Sequence, residues 1–297
     1  MISFIYEGCL EDTPLHRYFK ANLISSEMSK IGVYVDSMNI VRNGGYGMRY
    51  EVLRRFATRN GGQIVRLNAY VALDEERVGA DPNYNATLNF ISTLRDLGFK
   101  VIEKPIRWFT DESGRTYGKA NADMDMALDI ISQSDRLDMV LLLTGDGDFC
   151  NVVTMVQNKG CRVELVAFAN VSSWLRREVD LFVSGFLIPG LLPVQAQLGA
   201  PPWGETGSRV RGVCTKYLHD KSYGFMRYIH SLGKLWITDT RQEDSPYKSV
   251  FFMEKDLPQT VDPDDLPSRE HIFEFTLIEG DKGFLATDIA IVYQYHS

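Results

Sequence analysis

Acidic side chains recur where predicted strands of the first half of the chain end. Asp36 follows the apolar run 31–35. Asp146 and Asp148 follow the apolar run 139–143 in the string TGDGDF, whose two glycines permit a tight turn. In doubly wound sheets, ligands bind beyond the carboxyl ends of the parallel strands. We therefore expect these three carboxylates to lie close together.

A further acidic stretch, KANADMDMALD, begins a helix that we predict over residues 123–132. Within that helix, an apolar stripe at helical spacing is expected to face the sheet, and its members are Met124, Ala127, Leu128 and Ile131. Asp123 and Asp125 then flank the stripe on opposite sides, so both cannot point into one cleft. Asp123, at the less constrained end, is the better candidate, and the role of Asp125 stays open.

The chemistry of such a group is that of a divalent cation. Several carboxylates that converge without basic neighbours repel one another, and a hard cation with oxygen ligands relieves the repulsion. We expect Mg²⁺ or Mn²⁺ held by Asp36, Asp123, Asp146 and Asp148. Such an ion activates water and neutralises phosphate charge, so the implied reaction is phosphodiester hydrolysis.

Two neighbouring residues are expected to support this site. Asn39 lies three residues after Asp36, and Lys119, four residues before Asp123, is placed to contact a phosphate. A simpler interpretation makes each aspartate a helix N-cap, which suits Asp148 or Asp36 taken alone. Capping explains one acid per helix, whereas the four acids map to a single sheet edge.

The order of predicted elements defines the fold class of the first domain. Apolar runs of strand length alternate with helical patterns. The strands are predicted over 31–35, 63–71, 100–105, 139–143 and 162–168, and the helices over 46–58, 83–97, 123–132 and 148–158. This alternation predicts an α/β fold with a doubly wound, mainly parallel sheet.

The composition and hydrophobic periodicity of the chain change after residue 188. Residues 189–208 contain four of the eleven prolines and no periodicity, which indicates a linker. Short aromatic and β-branched runs follow and predict a small all-β barrel or sandwich. These runs are 210–218, 223–229, 235–238, 250–253, 272–278 and 284–293. We thus divide the chain into an extension of unassigned function (1–30), an α/β domain (31–188), the linker and a β domain (209–297).

Composition excludes several functional classes. The formal charge of −7 provides no general attraction for a polyanion, so nucleic acid must be bound by local patches or through metal. The four cysteines form no C-x-x-C pair and lack histidines at ligand spacing, so we expect reduced thiols and no zinc site. We find no apolar stretch of membrane-spanning length and no signal-peptide pattern, and we expect a cytoplasmic protein.

The strings VYVDSMNI, KANADMDMALDI, LLLTGDGDFCNVV, KGCRVELVAFA and SSWLRREVDLF resemble the NYN domain of the LabA-like group, within the PIN-like nucleases. The resemblance spans residues 31–186 in the correct order. It implies a PIN-like fold, a Mg²⁺ or Mn²⁺ site and cleavage of RNA. It also implies that the functional acids are Asp36 after the first strand, Asp123 at the helix start, and the pair Asp146 and Asp148.

Alternating aromatics in the β domain predict a surface for unpaired bases. Tyr223 and Phe225 share one face of a strand, Phe251 is expected to join them across the sheet, and Lys221 lies nearby. The alternative is that these aromatics form the barrel core.

GVCTKYLHDKSYGFM, SVFFMEKDL and FEFTLIEGDKGFLATDIAIV resemble a cold-shock domain, an OB-type barrel that binds single-stranded RNA or DNA. The chain departs from that pattern at Lys216, Met253 and Glu254, where aromatics or histidine are expected. Residues 205–297 hold 11 Lys and Arg against 15 Asp and Glu. We therefore expect weak, sequence-tolerant binding.

The favoured hypothesis is a metal-dependent ribonuclease that cuts single-stranded RNA presented partly by the barrel. A non-catalytic RNA-binding regulator with a structural or vestigial metal site is the first alternative. The second is a phosphohydrolase of small phosphate esters, which needs a nucleophilic Asp and another Asp two residues on. Asp36 is followed instead by Ser37, Met38 and Asn39, so this alternative ranks low.

Overall fold

The computed structural model describes residues 28–75, 84–195, 199–281 and 283–294. The predicted extension therefore lies almost wholly outside the described residues. The elements of the first part are β1 (Lys30–Asp36), α1 (Ser37–Ile40), α2 (Tyr50–Ala57), β2 (Gln63–Leu73), α3 (Tyr84–Asp96), β3 (Lys100–Pro105), β4 (Arg107–Thr110), β5 (Thr116–Lys119), α4 (Ala122–Gln133), β6 (Met139–Leu143), α5 (Cys150–Asn158), β7 (Arg162–Ala167), α6 (Ser173–Glu178) and β8 (Leu181–Ser184).

Six strands form one sheet in the order β3-β2-β1-β6-β7-β8, and every neighbouring pair is parallel. Side chains of the central strands are buried on both faces, as parallel sheets covered by helices require. In β1, Val33 and Val35 enter one core, whereas Tyr34 enters the core on the other face. The predicted doubly wound α/β fold is confirmed.

Helix α4 presents a different face to the sheet than the sequence predicted. Met126 and Ile130 are buried, whereas Met124 and Leu128 are 65% and 61% exposed. The predicted stripe was therefore wrong in two of its four members, although Ala127 and Ile131 do pack against the core. The helix carries apolar residues on more than one face, so periodicity alone could not select the buried one.

Three further local features differ from expectation. An antiparallel hairpin, β4–β5, and the sixth strand, β8, were not predicted because both consist of four-residue strands. Residues 235–238, predicted as a strand, form a turn at 235–236 and irregular backbone at 237–238. Part of the predicted linker is packed, since Leu191 and Leu192 are buried in the core beneath the sheet.

The second part is a closed barrel of five strands. They are β9 (Arg209–Leu218), β10 (Tyr223–Ile229), β11 (Tyr247–Met253), β12 (Ile272–Gly280) and β13 (Gly283–Tyr293). Around the barrel the order is β10-β11-β13-β12-β9, with β11 and β13 parallel and the other paired strands antiparallel. Closure and this order are those of an OB-type, cold-shock-like barrel.

The barrel packs directly against the α/β part. Val213, Ile229 and Ile272 belong to the same buried cluster as the residues beneath the sheet. At the edge of this contact, both guanidinium Nη atoms of Arg176 on α6 donate to the Glu270 carboxylate, at 2.8 and 2.7 Å. Bidentate pairs of this kind fix orientation as well as contributing energy.

Among the described residues, no helix is long and apolar enough to cross a membrane. The cysteines of the described ranges are unpaired: Cys161 and Cys214 are buried, and Cys150 is half-buried. Burial raises the pKa of the Cys161 and Cys214 thiols to about 11, so both are protonated at neutral pH.

Candidate functional site

Asp36 is the buried acid at the end of β1, with 6% of its surface exposed. Its Oδ1 accepts a hydrogen bond from the Asn39 backbone N–H (3.0 Å), which caps α1, and Oδ2 accepts one from the Thr144 hydroxyl (3.4 Å). Burial raises the pKa of Asp36 to about 6. The two hydrogen bonds oppose this rise in pKa, and the charges of Asp123 and Asp146 add to it.

Asp146 lies in the turn after β6, three residues past the end of that strand. Its Oδ1 accepts from the Asp148 backbone N–H at 3.0 Å, and its own N–H donates to the Thr144 hydroxyl at 3.2 Å. The side-chain oxygen of Asn39 accepts from the Gly145 N–H at 2.8 Å, which joins the turn after β6 to the turn after β1. The ends of the two central strands are thus held together by one polar network.

The glycines of this turn are needed for close approach to the neighbouring loop. A Cβ added at Gly147 would lie 2.7 Å from the Ser172 Oγ, and one added at Gly145 would lie 3.2 Å from the Asn170 carbonyl oxygen. The Ser172 N–H donates to the Gly145 carbonyl at 2.9 Å. The acidic turn therefore packs tightly against the start of α6.

The three acids of α4 have different surroundings. Asp125 pairs with Lys104, and Asp129 accepts a hydrogen bond from the buried Tyr70 hydroxyl at 2.7 Å. Asp123 is exposed, and its charge is the one from this helix that raises the pKa of the buried carboxyl of β1. The preference for Asp123 over Asp125 as a site residue stays a prediction, and two of the four residues of the helix face on which it rested are exposed.

The remaining predicted residues divide as follows. Asp148 is exposed at the outer side of the turn, where its backbone N–H supports Asp146. Asn39 links the two turns as described. Lys119 ends β5, three residues before α4, and its side chain lies outside the described part of the structure. The structure thus brings Asp36, Asp123 and Asp146 into electrostatic range, with Asp148 at the rim.

The donor chemistry of this site fits a hard divalent cation. The acids offer carboxylate oxygens, and the negative charge that raises the pKa of Asp36 is the charge that a cation would neutralise. Within the described ranges no three His, Cys, Asp or Glu side chains are close enough to enclose an ion. Mg²⁺ needs no such cage, since it usually retains several waters and binds one or two carboxylates together with substrate phosphates.

The aromatic residues predicted on the barrel lie together on its outer face. Tyr223 and Phe251 have ring centroids 5.2 Å apart, and Phe225 lies 6.0 Å from Tyr223 and 5.8 Å from Phe251. All three are half-buried, whereas the alternate residues of both strands fill the barrel core. Lys221 is exposed just before β10. The core alternative for these aromatics is therefore excluded by the geometry.

Sequence reasoning missed other exposed aromatics near the acidic edge. Phe109 and Tyr117 stack across the β4–β5 hairpin, and Trp174 on α6 carries the Arg177 guanidinium over its ring. It also missed Thr144, whose hydroxyl bridges the two turns. One sequence signal could have identified the exposed aromatics: an aromatic next to or near a basic residue in a short polar segment.

A doubly wound parallel sheet with acids at its carboxyl edge fits the class of PIN-like nuclease domains. The model of the NYN domain family matches residues 30–189, and the chain belongs to that family. It is 26% identical over 162 residues to the Low amplitude and bright protein LabA of Synechococcus elongatus, covering 52% of this chain and 83% of the relative. A crystal structure of a protein of unknown function from Vibrio parahaemolyticus is 27% identical, with a TM-score of 0.44, over 54% of this chain and 94% of that one.

Proposed function

We propose that the protein is a Mg²⁺- or Mn²⁺-dependent ribonuclease that hydrolyses phosphodiester bonds of single-stranded RNA. The observation that supports this most is the buried Asp36 carboxyl, whose pKa is raised to about 6 by burial and by two neighbouring aspartates. Such a group costs folding free energy, and perturbed carboxyls of this kind concentrate at functional sites. Membership of a PIN-like nuclease family supports the same conclusion.

Each acid has a separate role in this proposal. Asp36 and Asp146, fixed by the polar network, would hold the ion, and Asp123 and Asp148 would add negative charge from the rim. When bound, the ion supplies Lewis-acid stabilisation of the phosphate and activates water for attack. Asn39 keeps the two turns in register, and Lys119 is proposed to contact the neighbouring phosphate.

The barrel is proposed to hold the RNA. Its outer aromatic cluster of Tyr223, Phe225 and Phe251 is of the type on which unpaired bases stack, and Lys221 supplies charge at its edge. In OB folds the face of the second and third strands binds oligonucleotides, and these aromatics lie on β10 and β11, the second and third strands of this barrel. A cytoplasmic location, where RNA is available, is part of the proposal.

The direct test is cleavage of end-labelled single-stranded RNA in Mn²⁺. We expect Asp146→Asn to abolish cleavage, because one of the two carboxylates that hold the ion is lost. Asp125→Asn is the matched control, since that carboxylate pairs with Lys104. Equal cleavage by wild type and Asp146→Asn would overturn the catalytic proposal.

A non-catalytic RNA binder is the second candidate. It is favoured by the absence, within the described residues, of three acidic or other ligating side chains arranged to enclose an ion. Titration calorimetry with Mn²⁺ separates the two candidates. A protein that binds oligouridylate but takes up no Mn²⁺ at millimolar concentration would favour the regulator.

A further inference from the structure

The β4–β5 hairpin displays stacked aromatics outside the core. Phe109 and Tyr117 are paired across the hairpin, with ring centroids 5.8 Å apart and planes inclined at 29°. They are 45% and 52% exposed. Arg107, two residues before Phe109, lies on the same face and is also exposed. The hairpin therefore offers aromatic surface and positive charge to one ligand.

The hairpin is anchored at the same sheet edge as the acids. It leaves the carboxyl end of β3, and the Ile106 N–H donates to the Leu73 carbonyl at the end of β2. The Trp108 indole Nε1 donates to the Asp74 carboxylate, at 3.1 and 3.2 Å to its two oxygens. Its return strand leads directly into α4, which begins next to Asp123.

Local charge on the hairpin is opposite to that of the whole chain. Residues 107–119, which span the hairpin, contain three Lys and Arg against two Asp and Glu, in a chain of net charge −7. A basic, aromatic ribbon on an acidic protein is complementary to a polyanion with flat bases. A protein partner would be expected to meet aliphatic as well as aromatic side chains, and the exposed face of this hairpin is aromatic and cationic.

Trp174 occupies the opposite flank of the acidic edge. It is 73% exposed, and the Arg177 guanidinium lies 4.6 Å from its ring centroid. It follows by two residues Ser172, whose N–H is bonded to the turn that carries Asp146. The flank beyond β7 therefore repeats the combination of exposed aromatic and arginine found beyond β3.

The sheet order places the acids between these two flanks. From β3 to β7 the strands run β3-β2-β1-β6-β7, so the acids at the ends of β1 and β6 are central. Four strand spacings correspond to about 19 Å, a span that a few unstacked nucleotides can cross. An extended ligand that touched both flanks would pass over the acids.

We propose that single-stranded RNA crosses the carboxyl edge of the sheet between two stacking stations, that is, two sets of exposed aromatics on which bases stack. This inference rests on the proposed function. One station is the Phe109–Tyr117 pair, and the other is Trp174 with Arg177. The bases stack on the rings, and the arginines of both flanks contact phosphates. These side chains are positioning residues, which hold the strand so that a phosphodiester lies over the acids.

Binding of fluorescein-labelled oligouridylate to the full chain, measured by anisotropy in EDTA, tests this path independently of cleavage. We expect Trp174→Ala and the double variant Phe109→Ala/Tyr117→Ala each to weaken binding by roughly 5- to 100-fold, the loss of one or more base stacks. Trp174→Phe and Tyr117→Phe should restore most of the affinity, because stacking is retained. Arg107→Gln should lower the slope of log affinity against log salt.

Trp236→Ala is the matched control, because Trp236 is an aromatic of similar exposure (61%) that lies in the loop between β10 and β11 and belongs to neither station. It should leave affinity unchanged. Equal affinity of wild type and both station variants would overturn the proposal, as would an equal loss at Trp236. If wild type is a dimer in solution and the station variants are monomers with unchanged RNA affinity, this surface would be reassigned to self-association. Retained binding without cleavage in Mn²⁺ would instead overturn the catalytic function and leave the binding path supported.

Discussion

Replacing Asp36 by asparagine is expected to stabilise the metal-free protein while abolishing cleavage. The Asp36 carboxyl is 6% exposed, and its pKa rises from the ordinary value of 3.8 to about 6. When this group is ionised in the folded state, the rise corresponds to about 3 kcal/mol of lost stability. Asparagine has nearly the same shape and no charge. Because it keeps the capping oxygen, we expect it to recover about 2 kcal/mol of the free energy of unfolding.

The pH dependence of this gain follows from the direction of the pKa shift. A carboxyl whose folded pKa lies above its unfolded value binds protons more readily when folded, so its ionisation opposes folding. The cost is fully present above pH about 6, and it disappears as the pH falls towards 4. The stability difference between Asp36→Asn and wild type should therefore be largest near pH 8 and close to zero near pH 4.

Thermal unfolding in EDTA at pH 8 and at pH 4 measures this difference. For a chain of 297 residues we expect the midpoint of Asp36→Asn to exceed that of wild type by roughly 3 °C at pH 8. Saturating Mg²⁺ should raise the midpoint of wild type alone, because only the folded wild type binds the ion tightly. Asp125→Asn, which breaks the pair with Lys104, should show no gain at either pH.

Two results would refute this reasoning about Asp36. One is a loss of stability in Asp36→Asn at pH 8 in EDTA, which would mean that the ionised carboxyl contributes favourable interactions rather than a cost. The other is an equal gain at pH 8 and pH 4, which would mean that the effect is not one of charge.

Three further outcomes are expected. Gly147→Ala should lower the unfolding midpoint and weaken Mn²⁺ uptake in calorimetry, because its Cβ would lie 2.7 Å from the Ser172 Oγ; Ser172→Gly in the same chain should restore both. Tyr70→Phe should cost about 1–3 kcal/mol in urea denaturation, because it removes the hydroxyl that donates to Asp129, and an unchanged midpoint would show that this bond is not needed. Phe251→Ala should weaken oligouridylate binding roughly 5- to 100-fold in anisotropy titrations without changing the melting temperature greatly, and unchanged affinity would remove the barrel face from the RNA-binding surface.

Sequence patterns located the strand ends well because each central strand is a short apolar run with a clear boundary. Asp36 directly follows one such run, and Asp146 follows another after two intervening residues. The parallel topology therefore brings them together once the sheet order is known. The buried face of α4 was not predictable in the same way. Its apolar residues are spread over more than one helical stripe, and the contacts with the sheet, made through Met126 and Ile130, select one of them.

The hairpin was missed for a different reason. Its four-residue strands, RWFT and TYGK, carry exposed aromatics and bury little apolar area of their own. The interactions that hold it, above all the bond from the Trp108 indole to Asp74, join residues 34 positions apart in the chain. Local patterns carry no information about such a contact, which depends on the strand ends already being assembled.

Helix capping and a role in the proposed metal site are compatible for the acidic residues in this structure. Asp36 caps α1 and Asp146 caps the turn after β6, and in both cases the capping oxygen is Oδ1. A cap alone is satisfied by an exposed aspartate, which retains its hydration and its ordinary pKa. It does not explain why Asp36 is buried next to other negative charges at a cost in stability. The caps orient the carboxylates but leave their negative charge uncompensated. We propose that the cation neutralises this charge.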